Sequence, residues 1–344
     1  LNKDNLIYRR LMHGISFMIP FVVTGGILMS ISHLILGSSI DIFLNPNTTL
    51  SSWILDIGTL AFSFMLPILA GYISFAISDR PGLVPGFMAG AIAYTGGSGF
   101  IGAILGGFIA GYMTEILKKG FQFLPKSMQG LKPMLFFPLF GTILTALLML
   151  PVTFLFEPTT MTLRAFLKNI EGIPLILLCI LLASLMAIDM GGPINKAAYI
   201  IGLASMTSGE SSKLMAAIMV GGMIPPLGIA LTTTLFKNRF TKIELKQGKS
   251  NYLMGLSFIT EGAMPFALKK PKVVIPSLML GSALSGAIIG LFKTASPTPH
   301  GGIFVVPLMT NWYGFIIALI SGVILSTLLL SFLLKETQRE ENVS

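Results

Sequence analysis

Cysteine is nearly absent. Cys179 is the one thiol in 344 residues, which excludes a disulfide framework and any multi-cysteine metal site. It sits in the run Ile-Leu-Leu-Cys-Ile-Leu-Leu, so it is expected to be a small packing residue. Charge is scarce as well: Lys, Arg, Asp and Glu make up 11% of the chain, against about 25% in an ordinary soluble protein. A Walker-type phosphate loop, a His-Glu-x-x-His zinc motif and a nucleophile elbow are all missing, which leaves no evident ATPase, metalloprotease or hydrolase site. No arginine falls at membrane depth, whereas a site for an anionic substrate would call for one.

What is present in quantity is apolar. Hydrophobic residues make up 53% of the chain and the mean hydropathy is +0.83, the profile of an integral membrane protein. Spans of about 20 mostly apolar residues fall at roughly 11–36, 53–77, 100–117, 133–156, 173–188, 214–236, 273–292 and 312–334. Shorter stretches broken by Gly and Pro lie at about 83–95, 190–206, 253–268 and 296–308. In the third span Gly102, Gly106 and Ala110 recur every four residues beside Gly107 and Gly111, a surface on which helices pack backbone to backbone. The polar start Leu1–Arg10 precedes the first span with no small-residue cleavage site, so no cleaved leader is expected. The chain opens on Leu rather than Met, as a piece of a longer protein would.

The basic residues give orientation. Of the 23 Lys and Arg residues, Arg164, Lys168, Lys213 and Lys293 fall on one side, Lys196 at membrane depth, and the others in loops on the opposite side. The positive-inside rule then predicts cytoplasmic termini and an even number of crossings, about ten. The formal charge of +9 is thus a topology signal, and the inner loops suit anionic lipid or an acidic soluble partner. Ser38–Ser52, with Asn45-Pro46-Asn47, reads as an outside turn. Leu163, Phe166, Leu167 and Ile170 have helical spacing, which predicts a separate amphipathic helix over 157–170 on the outer face. Thr241 with Glu244 three residues on is a capping box that starts a short cytoplasmic helix.

Three breaks carry polar residues. Gly255–Pro265 holds Thr260, Glu261 and Gly262, and a carboxylate at the bilayer centre costs roughly 2.5–3.5 kcal/mol unless it faces a partner or a polar cavity. Asp189-Met190-Gly191-Gly192-Pro193-Ile194-Asn195-Lys196 sets two charges about a Gly-Gly-Pro interruption, where Asp189 can bind substrate, pair with Lys196 or tie two half-helices together. Asn195 both donates and accepts. Ser296–Gly302 holds His300 and Gly301 in a stretch too rich in Pro and Gly for a regular span. His13 and His33 lie near the ends of the first span, where packing or snorkelling explains them. A carboxylate, an imidazole and an amide suit a neutral polyhydroxyl compound: the carboxylate accepts from hydroxyls, and imidazole donates or accepts by tautomer.

Ile259–Phe266, together with Met190–Tyr199, Gly221–Gly228, Pro299–Ile303 and the opening Leu11–Val23, resembles the fructose-type membrane component (IIC) of the bacterial phosphoenolpyruvate-dependent sugar phosphotransferase system. The resemblance runs almost end to end. It implies an all-α polytopic membrane protein with about ten transmembrane helices and two re-entrant hairpins, built as scaffold and transport domains. Residues 1–170 would be mainly the scaffold and dimerisation half, and 171–344 mainly the transport half. It implies a homodimer in the bacterial inner membrane whose transport domain moves sugar past the scaffold in elevator fashion. The sugar is fructose or a related ketose, polyol or mannosyl compound, bound by Glu261 and His300 with Thr260, Gly262, Asn195, Asp189 and Gly301 as candidate contacts. A IIB partner would phosphorylate it from a phosphocysteine that Cys179 cannot supply, and no cofactor or metal is expected. The chain is then the membrane subunit of a phosphotransferase rather than an enzyme complete in itself. Lys269 and Lys270 are candidate docking residues for IIB. From another class, a proton-coupled secondary sugar transporter would use Glu261 or Asp189 as its proton carrier.

Overall fold

The computed structural model describes residues 3–36, 40–123, 125, 129–206 and 211–334. These form two compact units, Leu1–Ala165 and Phe166–Ser344. Seven helical segments among the described residues are long and apolar enough to cross a membrane, and Gly172–Met186 is a shorter apolar helix.

In the first unit, α1 (Lys3–Ile35) packs on α2 (Leu50–Ser63) and α3 (Met65–Ser78), and α3 packs on α4 (Leu83–Thr95) and α5 (Gly99–Gly120). The α2/α3 break at Phe64 has a local cause: Pro67 has no N–H to give the Ser63 carbonyl. From Ile40 onward the expected outside turn is a small hairpin, β1 (Phe43–Asn45) with β2 (Thr48–Thr49); Ser38 and Ser39 lie outside the described residues. Asp41 accepts from the Ser51 N–H and hydroxyl at 2.9 Å each, fastening that hairpin to the start of α2. The small residues of α5 do what their spacing predicts. A Cβ on Gly106 would lie 2.9 Å from Ala89 of α4, and one on Gly107 would lie 2.8 Å from the Ala70 carbonyl of α3.

The expectation of a separate amphipathic helix over 157–170 is corrected. After a π-helical turn, Lys132–Phe136, a single helix α6 runs from Phe137 to Asn169 with Pro151 and Pro158 inside it. Glu157 and Pro158 do not end the helix because the polar side of this stretch has partners. The Glu157 side chain lies against Gly97, and the Thr160 hydroxyl donates to the Ser98 carbonyl at 3.1 Å. Leu163 and Leu167, half of the expected apolar face, have side chains outside the described residues.

The second unit is organised about α9 (Lys213–Leu235), which is buried on every side from Leu214 to Ala230. A helix apolar all round belongs in an interior. Helices α7 (Gly172–Met186), α10 (Lys242–Leu256), α12 (Pro271–Phe292) and α13 (Trp312–Leu333) pack around it. Gly221 admits Ala183 of α7, whose Cα would lie 2.6 Å from an added Cβ. Cys179 is fully buried on α7, its carbonyl meeting Gly286 of α12. Two short helices, α8 (Pro193–Ala204) and α11 (Met264–Lys269), complete the unit.

Ion pairs lie at the helix ends. Glu171, just before α7, accepts from Lys293 at 2.9 Å and Lys213 at 3.5 Å. The hydrogen bond and charge of Lys293, aided by Lys213, hold this carboxyl below its usual range. The capping box at the start of α10 forms as expected: Glu244 accepts from the Thr241 N–H at 2.8 Å, and Thr241 caps the Glu244 N–H.

Candidate functional site

Three interruptions of the second unit meet in space. The first joins α7 to α8. Met190 and Gly191 turn the chain at positive φ, 46° and 107°, and Pro193 opens α8. Gly192, the residue before α8, has no side chain with which to cap it. Asp189 does so instead, its two carboxylate oxygens accepting from Ile194 N–H at 2.6 Å and Asn195 N–H at 2.9 Å. A carboxylate at this end of a helix also meets the positive end of its dipole. Asp189 therefore bridges the half-helices, and no ion pair joins it to Lys196 among the described residues.

The second interruption follows α10. Phe258 turns the backbone at φ 62°, and Thr260–Ala263 forms one 3-10 turn before α11. Thr260 is buried and accepts from the Asn195 amide at 3.4 Å; the same amide donates to the Met186 carbonyl at 2.9 Å. One side chain thus clasps the end of α7, the start of α8 and the 260–263 turn. Glu261 is exposed and stands over Gly191, where an added Cβ would lie 2.7 Å from its Oε1. Its carboxylate has no hydrogen-bond or ion-pair partner among the described residues. Gly262 is half-buried and admits the Asn251 side chain of α10.

The third interruption connects α12 to α13. Its ends are held by single bridges, Ser212 with Ser296 and Ala295 with Thr310. Within it, the Ser296 hydroxyl donates to the Thr298 carbonyl at 2.7 Å, and the Thr298 hydroxyl to the His300 carbonyl at 3.0 Å. The buried Gly301, at φ 127°, donates its N–H to His300 Nδ1 at 2.9 Å. An acceptor Nδ1 puts the ring proton on Nε2, so the neutral imidazole offers a donor from its far side. His300 is buried, with its ring centroid 4.7 Å from that of Phe258. Gly302, at φ 58°, lies against the Leu256 carbonyl, where any side chain would collide.

Asn195 with Thr260, Glu261 with Gly191, and His300 with Phe258 are thus the contacts that join the three breaks. Two aromatic residues of the arrangement were not singled out by charge or by Gly and Pro. Tyr199 and Phe258 both lie beside His300, at centroid distances of 6.4 and 4.7 Å. The spacing of Tyr199 four residues after Asn195 was the available signal. Phe258 carries none, because Phe is an unusual choice for positive φ. On the polar side, Lys269 is engaged with Glu244 at 2.9 Å, whereas Lys270 has no ion pair among the described residues.

Residues 12–281 match the family described as "Phosphotransferase system, EIIC". The chain belongs to this family. It is a multi-pass membrane protein, with the apolar helices described above. The EIIC chain is 41% identical over 340 residues to the PTS system fructose-specific EIIABC component of Bacillus subtilis (strain 168), covering 96% of this chain and 52% of that protein. It is 40% identical over 284 residues to the Fructose permease IIC component of Bacillus amyloliquefaciens, covering 81% and 92%. It is 39% identical over 334 residues to the PTS system fructose-specific EIIB'BC component of Escherichia coli (strain K12), covering 95% and 58%. The chain spans about half the length of these multicomponent relatives, 52% of one and 58% of the other.

Proposed function

We propose that this EIIC chain is the sugar permease of a phosphotransferase system, carrying fructose or a related sugar across the bacterial inner membrane and presenting it to a IIB domain for phosphorylation. The observation that carries the reading is the convergence of the three broken segments, with the Glu261 carboxylate beside Gly191 and unpaired among the described residues. A free carboxylate accepts from sugar hydroxyls, and the Nε2–H of His300 donates to a sugar oxygen. Thr260, Gly262, Asn195, Asp189 and Gly301 hold these two groups in position. The fructose-specific names of the relatives support the choice of sugar, and the B components in two of them support a IIB partner. They leave a proton-coupled transporter without support.

The phosphoryl group comes from the IIB cysteine. Its S–P bond breaks as the sugar oxygen forms the new O–P bond, the sulfur leaves as a thiolate that takes up the hydroxyl's proton, and Glu261 orients that hydroxyl. Cys179, fully buried, is no candidate carrier. The wider organisation belongs to the same reading: about ten crossings and two re-entrant hairpins, cytoplasmic termini, a homodimer set in lipid, residues 1–170 mainly as scaffold and 171–344 mainly as the moving transport half.

Membrane vesicles given labelled fructose test it. Phosphorylated sugar is expected only when phosphorylated IIB is supplied, and accumulation of unmodified fructose without IIB would overturn the reading. Glu261→Ala is expected to weaken sugar binding by about a hundredfold, the scale of a lost charged hydrogen bond, while the variant keeps its fold. Unchanged binding would remove Glu261 from the site.

A further inference from the structure

Tyr199 follows Asn195 by one turn of α8, on the same buried face of that helix. The residue is 5% exposed, and its hydroxyl has no hydrogen-bond partner among the described residues. Buried tyrosine hydroxyls ordinarily find one. Its ring centroid lies 6.4 Å from that of His300 with the planes at 76°, an edge-on contact, and 6.2 Å from that of Phe258. Several polar groups of the three breaks are engaged elsewhere. The Asn195 amide donates to the Met186 carbonyl and Thr260, His300 Nδ1 accepts from Gly301, and the Thr298 hydroxyl donates to the His300 carbonyl. Among the described residues the phenol is left as a donor and acceptor with nothing to bond, beside the His300 imidazole.

We infer that the Tyr199 hydroxyl is a specificity-determining contact of the sugar site, hydrogen-bonding one hydroxyl of the sugar held by Glu261 and His300. The inference rests on the sugar-permease reading and adds a discrimination to it. Glu261 accepts and the His300 Nε2–H donates, whereas a phenol does either, so Tyr199 fixes which face of the sugar enters. A site that hydrogen-bonds a substrate hydroxyl strongly disfavours the analogue that lacks it, because the protein group is then left unpaired.

The test is Tyr199→Phe, which removes one oxygen and keeps the ring. Binding of fructose, and of a series of fructose analogues each lacking one hydroxyl, is measured by calorimetry on the purified full chain, alongside the melting temperature without ligand. The variant is expected to bind fructose about tenfold more weakly, the scale of one hydrogen bond, with a melting temperature equal to or above that of the unaltered protein. One analogue is expected to bind the unaltered protein about tenfold more weakly than fructose, yet to bind Tyr199→Phe as tightly as fructose does. Equal fructose affinity in the two proteins overturns the inference, as does an analogue series whose losses are all unchanged in the variant. If the unaltered protein binds neither fructose nor any ketose, polyol or mannosyl compound, the permease reading and this inference fall together. If it binds and the variant matches it, Tyr199 alone is excluded.

Discussion

A carboxylate can stand over residue 191 only because that residue has no side chain. Gly191 sits at φ 107° with Glu261 Oε1 2.7 Å from where a Cβ would be. Gly191→Ala is therefore expected to cost about 1–3 kcal/mol of stability through backbone strain and to displace Glu261, so that the melting temperature and sugar affinity fall together. A variant that melts like the unaltered protein and binds sugar normally would show that the two groups do not bear on each other. At this scale the sequence disclosed the costly groups but not all their partners. Asp189 was conspicuous as a charge beside Gly-Gly-Pro, yet its bonds go to the Ile194 and Asn195 backbone rather than to Lys196. The reversal at Met190 and Gly191 folds the next helix start back over its carboxylate, and that geometry has no letter in the sequence. The meeting of Tyr199, Phe258 and His300 was hidden for the same reason: three segments far apart in the chain must fold before their rings touch.

Helix ends show which local rules survive in a membrane protein. The capping box at Thr241 was readable because both members lie within four residues. Thr241→Ala is expected to destabilise α10 by about 1 kcal/mol. Burial raises the Glu244 carboxyl's pKa, but the Thr241 N–H and hydroxyl and the Lys269 ammonium outweigh it and leave the group below its usual 4.5. A carboxyl lowered by folding contributes stability that is full above the unfolded value and lost as pH falls through the folded one. Acid titration of the melting temperature is thus expected to drop below about pH 4.5, and less steeply in Thr241→Ala. Equal slopes would detach Glu244 from that drop. The α6 helix was misread for the opposite reason. Glu157 and Pro158 end a span by local rules, but the 97–98 turn receives Glu157 and Thr160, and the helix runs through. Contacts with a neighbouring segment overrode the local stop signal.

For the whole molecule, most of the long helices were legible in advance because an apolar run long enough to span is a property of composition. Orientation is the next quantity to fix, and α12 offers a direct measure. At about 1.5 Å per residue, its 22 residues reach across a bilayer core about 30 Å thick. Lys270 and Lys293 stand at its two ends. A membrane-impermeant maleimide is expected to label Lys293→Cys in intact cells and Lys270→Cys only in inside-out vesicles. Labelling of both from one side would mean that α12 does not cross.

Cys179, enclosed between α7 and α12, also makes this protein unusually convenient to probe. Its sulfur is out of reach of polar reagents, so the unaltered chain serves as its own silent background, and each introduced cysteine reports alone. The same property extends to paired cysteines. Placed at 195 and 260, they would put a crosslink where Asn195 meets Thr260 and report whether α8 and the 260–263 turn stay together while sugar is carried, a question of motion put to the protein without first removing Cys179 from its interior.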